Sequence, residues 1–321
     1  MKSVLKAVMG HPLLTARPPV FLDVGASGAL PAEWKLLAPY SICIAFDADT
    51  RDFQITQSED RDWKRLYSLN RLVSPNVKGE VIFYLTKSPH CSSSLQPDKT
   101  SLARWAFSPL FDVVKQVTLP AVDLQKTLVE IGIDYIDWYK ADTQGTDLRI
   151  FSALDEQIRD RILVADFEPG IIDAYLTEDK LHHVMAYMDE RRFWVSRMNL
   201  LGSQRIDQDS LTSLSSEEKR GLAYRLKSAP GWCEISYLNS LENGGLGCRE
   251  YLLAWIFSSM KGEHGFALHV AQSGIETFKD PLFDELRAHS RKSLSPSIVR
   301  YTTSLASKVA ARVISAIREL K

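Results

Sequence analysis

The N-terminal half of the chain alternates short apolar runs with stretches of helical spacing, and this alternation restricts the fold more than any other feature. Apolar runs at 19–25 and 41–49 each stop at small or acidic residues. Strands that alternate with helices form βαβ units, whose strands lie parallel in one sheet with helices on both faces. The pattern therefore predicts a doubly wound, Rossmann-like α/β sheet.

The individual elements follow from the same periodicity. Strands are expected at 19–25, 41–49, 65–73, 133–145, 161–170, 193–201 and 231–241. The segment 78–89 alternates enough to be a strand outside the basic sheet. Helices are expected at 122–132, 146–158 and 181–193. Only a brief helix fits between the first two strands, because that segment is short and bounded by Pro39.

Beyond residue 242 the pattern becomes helical, which predicts a catalytic domain over 1–241 and a C-terminal helical extension over 242–321. The last helix, 296–321, has an apolar stripe beside a basic face. A packed terminal helix with a solvated face explains this pattern. Docking of the basic face on a membrane surface or a partner is the alternative.

Composition narrows the class of protein. The 321 residues carry a net charge of -1, with 45% apolar and 25% charged residues, as in ordinary globular proteins, and no basic field favours nucleic acid. The four cysteines form no Cys-x-x-Cys or Cys/His pattern, so neither a zinc site nor a disulfide framework is expected. The apolar stretch near the N-terminus is interrupted by Gly10, His11 and Pro12, which disfavours a signal peptide or a membrane span. A cytoplasmic protein is expected.

The first strand ends in a glycine-containing turn, "FLDVGASGAL" at 21–30, which is typical of a ligand-binding loop. Dinucleotide enzymes use Gly-x-Gly-x-x-Gly there, whereas S-adenosylmethionine enzymes close the strand with an acidic residue before a looser glycine pattern. Asp23, Gly25 and Gly28 lack the third glycine of the dinucleotide fingerprint. Asp47, at the end of the second strand, suits the ribose hydroxyls of either cofactor.

With further motifs, the sequence resembles the FkbM-type family of S-adenosylmethionine-dependent methyltransferases. That family combines an Asp-Val-Gly-Ala-x-x-Gly loop, a Phe-Glu/Asp-x-Asp strand end, a Ser-Ser loop, a Thr-Leu-Asp helix start and Lys-x-Asp-x-Gln-Gly-x-Glu. The corresponding segments here are 23–28, 46–49, 92–94, 122–123 and 140–147. The resemblance runs from about 21 to 198 and is most specific at the Asp-Thr-Gln-Gly turn.

The resemblance implies a class I methyltransferase fold and transfer of a methyl group to a hydroxyl, commonly on a sugar or a secondary metabolite. It assigns six residues to the cofactor: Asp23, Gly25, Ala26, Gly28, Asp47 and Asp49. Three departures are present. Asp147 replaces the usual Glu, Val122 precedes Asp123 where the family has Thr-Leu, and "ADFEP" matches the family's acidic strand end only loosely at Glu168.

Asp142, His90 and Glu168 are the candidate catalytic residues, since methyl transfer to a hydroxyl needs positioning and a general base. Asp142 closes the fourth strand, where it either orients the acceptor or caps the following helix. His90 opens the loop "HCSSSL", and Glu168 ends the fifth strand. No third ligand accompanies Asp142 and Glu168, so no metal site is expected.

The sequence thus predicts an O-methyltransferase with S-adenosylmethionine as its cofactor and a small-molecule or glycan acceptor as its partner. Two alternatives stay open. A nicotinamide-dependent oxidoreductase would use the same loop and Asp47. A binding or scaffold protein would retain the fold without catalysis.

Overall fold

The computed structural model describes residues 2–26, 30–49, 51, 62–75, 79–225, 227–242 and 244–295. Its centre is a seven-stranded sheet in the order β3-β2-β1-β7-β8-β10-β9. The bounds are β1 Val20–Val24, β2 Ile42–Phe46, β3 Arg65–Leu69, β7 Trp138–Ala141, β8 Val164–Phe167, β9 Phe193–Gln204 and β10 Ser228–Asn239.

The first five strands of this sheet run parallel, whereas β10 pairs antiparallel with both β8 and β9. Every residue of β1 is buried, as expected for a central parallel strand that is covered on both faces. Chain order reverses between β1 and β7, which places a topological switch point at their carboxyl ends. The doubly wound, Rossmann-like class expected from the sequence is confirmed.

A smaller three-stranded sheet lies outside this order, with strands β4-β6-β5. Its bounds are β4 Leu72–Val73, β5 Glu80–Thr86 and β6 Val113–Val122. The expected strand outside the basic sheet is β5, and its partner β6 was missed by the sequence analysis. The buried side chains of Leu72, Phe83 and Ala121 form a separate apolar cluster of this sheet.

The α-helices of the described residues are mostly short. Their bounds are α1 Lys2–Met9, α2 Pro12–Ala16, α3 Lys99–Leu102, α4 Leu124–Glu130, α5 Asp147–Ser152, α6 Glu156–Arg159, α7 Leu181–Asp189, α8 Gln208–Ser213, α9 Ser216–Arg225, α10 Cys248–Met260, α11 His264–Phe278 and α12 Leu282–Leu294. Shorter 3₁₀ helices span Ala32–Leu36, Ala38–Tyr40, Pro89–Cys91 and Ser108–Phe111. No helix in the described part of the chain is long and apolar enough to cross a bilayer.

Two helical predictions differ from the structure in detail. The helix expected over 146–158 is divided into α5 and α6, because the chain turns at residues 153–155. The brief helix between the first two strands is a pair of 3₁₀ turns. The helix α12 was not anticipated, and the predicted basic helix at 296–321 lies outside the described residues.

Contacts divide the chain into Lys2–Leu253 and a second unit that begins at Ala254, of which residues up to 295 are described. The first unit contains both sheets. In the second, Phe283 of α12 packs so closely on Gly274 of α11 that a Cβ there would lie 2.4 Å from its ring. This division falls inside α10. The expected catalytic domain over 1–241 and helical extension over 242–321 stay predictions.

Candidate functional site

Two cavities open at the carboxyl ends of β1, β2, β7 and β8, beside the switch point. The first, on the β2 side, encloses about 610 Å³ of empty space including its mouth, and the second, on the β8 side, about 1000 Å³. They share three lining residues, His90, Asp142 and Gln144, so one wall separates them.

Gly25 is required by the close approach of two strand ends. Its φ is +88°, and a Cβ would lie 2.0 Å from the carbonyl oxygen of Asp142. The amides of Gly25 and Ala26 both donate to the carbonyl of Phe46 at 2.8 Å. Gly25 lines the first cavity, as expected for a bare backbone beside a ligand. Gly28 lies outside the described residues.

Asp23 lies in β1 beneath the cavities and does not line either of them. Its Oδ1 accepts a hydrogen bond from Lys140 Nζ at 2.8 Å, across neighbouring strands in register. Burial raises the pKa of Asp23, although Lys140 opposes that rise. The pair supports the strand ends and offers no open carboxylate to a cofactor.

Asp47 follows β2 and lines the first cavity, 7% exposed. Its Oδ1 accepts a hydrogen bond from the amide of Asp49 at 2.7 Å, and its carbonyl accepts one from Asn70 Nδ2 at 2.8 Å. These contacts fix the carboxylate at the strand end. Burial, with repulsion from Asp49 and other acids, raises the pKa of Asp47 to about 6.

Asp49 also lines the first cavity, but its carboxylate forms an ion pair with Arg51. Arg51 Nη2 donates to Asp49 Oδ2 at 2.6 Å and to Ser92 Oγ at 2.8 Å, and its Nη1 donates to the carbonyl of Thr86 at 2.9 Å. Burial pushes the pKa of Asp49 upward, but the hydrogen bonds from Arg51 outweigh it and lower the pKa. Asp49 therefore ties the loop after β2 to the loop that contains Ser92.

The turn after β7 forms the wall between the cavities. Gln144 Nε2 donates to Asp142 Oδ1 at 2.7 Å, and Gln144 Oε1 accepts from the hydroxyl of Tyr175 at 3.0 Å. Gln144 has φ +57° and Gly145 φ +106°, so two left-handed residues shape this turn. The chain from Tyr175 through Gln144 to Asp142 holds the carboxylate in one orientation.

Asp147 is a structural clamp beneath that turn. Its Oδ1 accepts hydrogen bonds from the amide and hydroxyl of Thr143 at 2.8 and 2.5 Å, and its Oδ2 accepts one from the amide of Glu168 at 3.0 Å. Burial raises its pKa to about 6. The side chain of Asp147 thus joins the ends of β7 and β8. The capping that the sequence allowed for Asp142 is not observed, because the helix Asp147–Ser152 has no side-chain cap.

The loop "HCSSSL" at 90–95, which contains the catalytic candidate His90, lies against the same turn. The hydroxyl of Ser93 donates to the carbonyl of Gln144 at 2.8 Å, and the side chain of His90 lines both cavities. Ser92 and Ser94 line the first cavity. The three serines therefore hold the wall and border the first cavity rather than the second.

Glu168 follows β8 and lines the second cavity. Burial, with repulsion from Asp142, Asp147 and Glu234, raises its pKa to about 9. These surroundings therefore disfavour the ionised form of Glu168. Among the described residues, no group of three or more His, Cys, Asp or Glu side chains is placed to hold a metal ion.

Several lining residues were missed because they come from distant segments. The apolar side of the first cavity is built by Leu72, Val73 and Phe83 around the small sheet. The second cavity includes four aromatic residues and one further carboxyl group: Phe107, Phe111, Tyr175, Trp232 and Glu178. Only "DAYLTED" at 173–179, which places an aromatic residue among acids, gave a local signal.

No family model matches the chain, and no curated protein matches it. Among solved structures, this chain is similar to a precorrin-6y C5,15-methyltransferase from Geobacter metallireducens GS-15, with 11% sequence identity and a TM-score of 0.31. The alignment covers 74% of this chain and 87% of the methyltransferase chain. A TM-score this low identifies neither a shared family nor a shared activity. The resemblance to FkbM-type methyltransferases stays a prediction.

Proposed function

We propose that this chain is an S-adenosylmethionine-dependent O-methyltransferase, in which the first cavity holds the cofactor and the second holds the acceptor. One observation carries the proposal: the two cavities meet at a wall of His90, Asp142 and Gln144. A transfer reaction needs its donor and acceptor sites to share a boundary at which the reacting atoms approach.

The residues of the first cavity suit this cofactor in charge and polarity. Asp47 offers a carboxylate to the ribose hydroxyls, and Leu72 and Phe83 offer an apolar surface to the adenine. Asp47 and Asp142 favour positive charge, and Arg71, a cation among the described lining residues, lies exposed at the rim. S-adenosylmethionine has a sulfonium and an ammonium group, which suit such a site.

A dinucleotide fits the same cavity less well. Its pyrophosphate needs a glycine-rich turn at the N-terminus of a helix whose dipole attracts the negative charge. Here the chain after the turn enters a 3₁₀ helix of five residues, Ala32–Leu36, with no side-chain cap. Such a short helix contributes little dipole, and the neighbouring carboxylates repel phosphate.

When bound, the cofactor would supply an electrophilic methyl group. Asp142 would orient the acceptor hydroxyl and accept its proton as the new C–O bond forms, because Gln144 occupies only its Oδ1. His90, on the same wall, is the second candidate for the base. Glu168, which lines the second cavity, would hold the acceptor through its carboxyl group. A sugar, glycan or secondary metabolite is the acceptor class that the family resemblance suggests.

Calorimetric titration tests the cofactor class. Purified protein is titrated with S-adenosylmethionine, S-adenosylhomocysteine and NAD, and the titrations are repeated on Asp47→Ala. The matched control is Asp134→Ala, whose carboxylate is 87% exposed and pairs with Arg17 away from both cavities. We expect the first two ligands to bind the wild type and the control, with at least about tenfold weaker binding to Asp47→Ala.

The other outcomes assign a different function. Binding of NAD alone would mean a nicotinamide-dependent oxidoreductase. Failure of all three ligands to bind a folded wild-type protein would leave a scaffold or binding protein as the explanation. Equal affinity of Asp47→Ala and Asp134→Ala for S-adenosylmethionine would remove Asp47 from the cofactor site.

A further inference from the structure

The second cavity combines an aromatic wall with an acidic side. The rings of Phe107 and Trp232 stack with centroids 6.0 Å apart and planes inclined by 8°. Phe111 packs edge-on against Phe107 at 5.1 Å and contacts Tyr175 at 5.6 Å. These rings come from three separate segments and form a continuous wall of the cavity.

Three carboxyl groups line the same cavity: Asp142, Glu168 and Glu178. The negative charge of Glu178 is the best compensated of the three. Its Oε1 accepts a hydrogen bond from the amide of Ala174 at 2.7 Å and lies 3.4 Å from Lys180 Nζ. Lys180 is shared with Asp173, at 2.9 Å, and does not line the cavity.

No Lys or Arg among the described lining residues compensates the charge of Glu168 inside the cavity. Its backbone amide is held by Asp147, and the acids around it make its ionisation unfavourable. Among the described residues that line the cavity, His90 is the one basic side chain. The cavity thus holds more carboxyl groups than cations.

We propose that the acceptor carries a positively charged amine, which lies between the Phe107–Trp232 wall and the carboxyl group of Glu168. The inference rests on the proposed function, because it identifies the second cavity as the acceptor site. Aromatic faces attract ammonium groups, and an ammonium beside Glu168 favours the ionised form of its carboxyl group, with which it forms a charge-assisted hydrogen bond. The hydroxyl that is methylated would then lie at Asp142, on the wall shared with the cofactor.

The same charges argue against acidic acceptors. A phosphate or carboxylate in this cavity would lose its hydration beside three carboxyl groups without gaining a cation.

Two matched series of probes test the proposal. Glucosamine, glucose and glucuronate share one ring and differ in charge, as do cyclohexylamine, cyclohexanol and cyclohexanecarboxylate. Binding is measured by saturation-transfer NMR and titration near neutral pH, with and without saturating S-adenosylhomocysteine. We expect the amine of at least one series to bind at least about tenfold more tightly than its neutral analogue, and the anions not to bind.

Variants locate the amine. Glu168→Gln should weaken binding of the amine about tenfold and leave the neutral analogue within about twofold, since it removes charge but little volume. Trp232→Leu, which removes an aromatic face, should also weaken binding of the amine. The control is Glu190→Gln, at a side chain that is 76% exposed. It should change the affinity of neither the amine nor its neutral analogue. Circular dichroism and urea unfolding verify that each variant folds.

The proposal fails if neutral probes bind as tightly as amines in both series, if an anion binds best, if no probe binds, or if folded Glu168→Gln retains the wild-type preference. Failure of the proposed function has a different signature, because S-adenosylhomocysteine then does not bind. The probe series without that ligand still reports the charge preference of the second cavity.

Discussion

Buried carboxylates lie at both edges of the main sheet, but at the carboxyl edge two of them face cavities without a paired cation among the described residues. At the amino edge, Asp137 accepts a hydrogen bond from the amide of Val20 at 2.9 Å and two from Arg249, at 2.7 and 2.8 Å. At the carboxyl edge, Asp47 and Glu168 face cavities, and burial raises the pKa of both.

The difference separates structural from functional acids. The bidentate contact of Arg249 compensates the desolvation of Asp137, so that pair holds the chain together. A carboxylate that is buried without a cation destabilises the folded protein, and such groups concentrate at functional sites. We therefore expect mutations at the two edges to affect stability with opposite signs.

Arg249→Ala should have the largest effect on stability. It leaves Asp137 buried beside a single amide donor, and breaking a buried pair in this way typically costs about 3–5 kcal/mol. Urea unfolding measures the loss. Cofactor affinity, measured below the unfolding transition, should stay within about twofold of the wild type. A loss under about 1 kcal/mol would mean that the amino edge does not depend on this pair.

Asp142→Asn should mainly affect turnover. The amide keeps an oxygen for Gln144 but cannot take a proton, so the rate should fall by about 10²- to 10⁴-fold while S-adenosylmethionine affinity changes by less than about threefold. The rate is measured with an acceptor found by screening for methyl transfer from labelled cofactor. Unchanged turnover would remove Asp142 from the chemistry and favour His90 as the base.

Asp47→Asn should stabilise the protein while it weakens cofactor binding. The folded-state pKa of about 6 exceeds the ordinary 3.8, so the folded protein binds a proton more readily across that window, and the contribution of Asp47 to stability falls as pH rises through it. The variant should therefore be more stable by about 3 kcal/mol at about pH 8, a gain that vanishes below about pH 4. Urea unfolding at several pH values tests this, and a variant less stable than the wild type at high pH would contradict it.

Asp134→Ala should have the smallest effect. Its carboxylate pairs with Arg17 at 3.3 Å, but 87% of the side chain is exposed, and such pairs contribute less than about 1 kcal/mol. It therefore serves as the amino-edge control for Arg249→Ala. A larger loss in urea unfolding would show that exposure does not separate the two ion pairs.

The sequence predicted the parts of the site that depend on local pattern. Gly25 and Asp47 follow apolar runs, and Asp142 with Gln144 follows another, so their places at strand ends were readable from periodicity. Strand β6 was missed because its residues alternate without marked burial on one face. The breaks in the helix after β7 reflect local turns that helical spacing does not reveal.

By itself, then, the sequence determined the doubly wound class and the edge of the sheet at which the two cavities open, because hydrophobic periodicity and glycine turns act over a few residues. Only the tertiary structure decided that Asp23 pairs with Lys140 and that Arg51 forms an ion pair with Asp49. The stacking of Phe107 on Trp232 likewise depends on the tertiary structure. These contacts join segments through packing and desolvation, and whether a carboxylate stays open to a ligand depends on which cation the fold brings beside it.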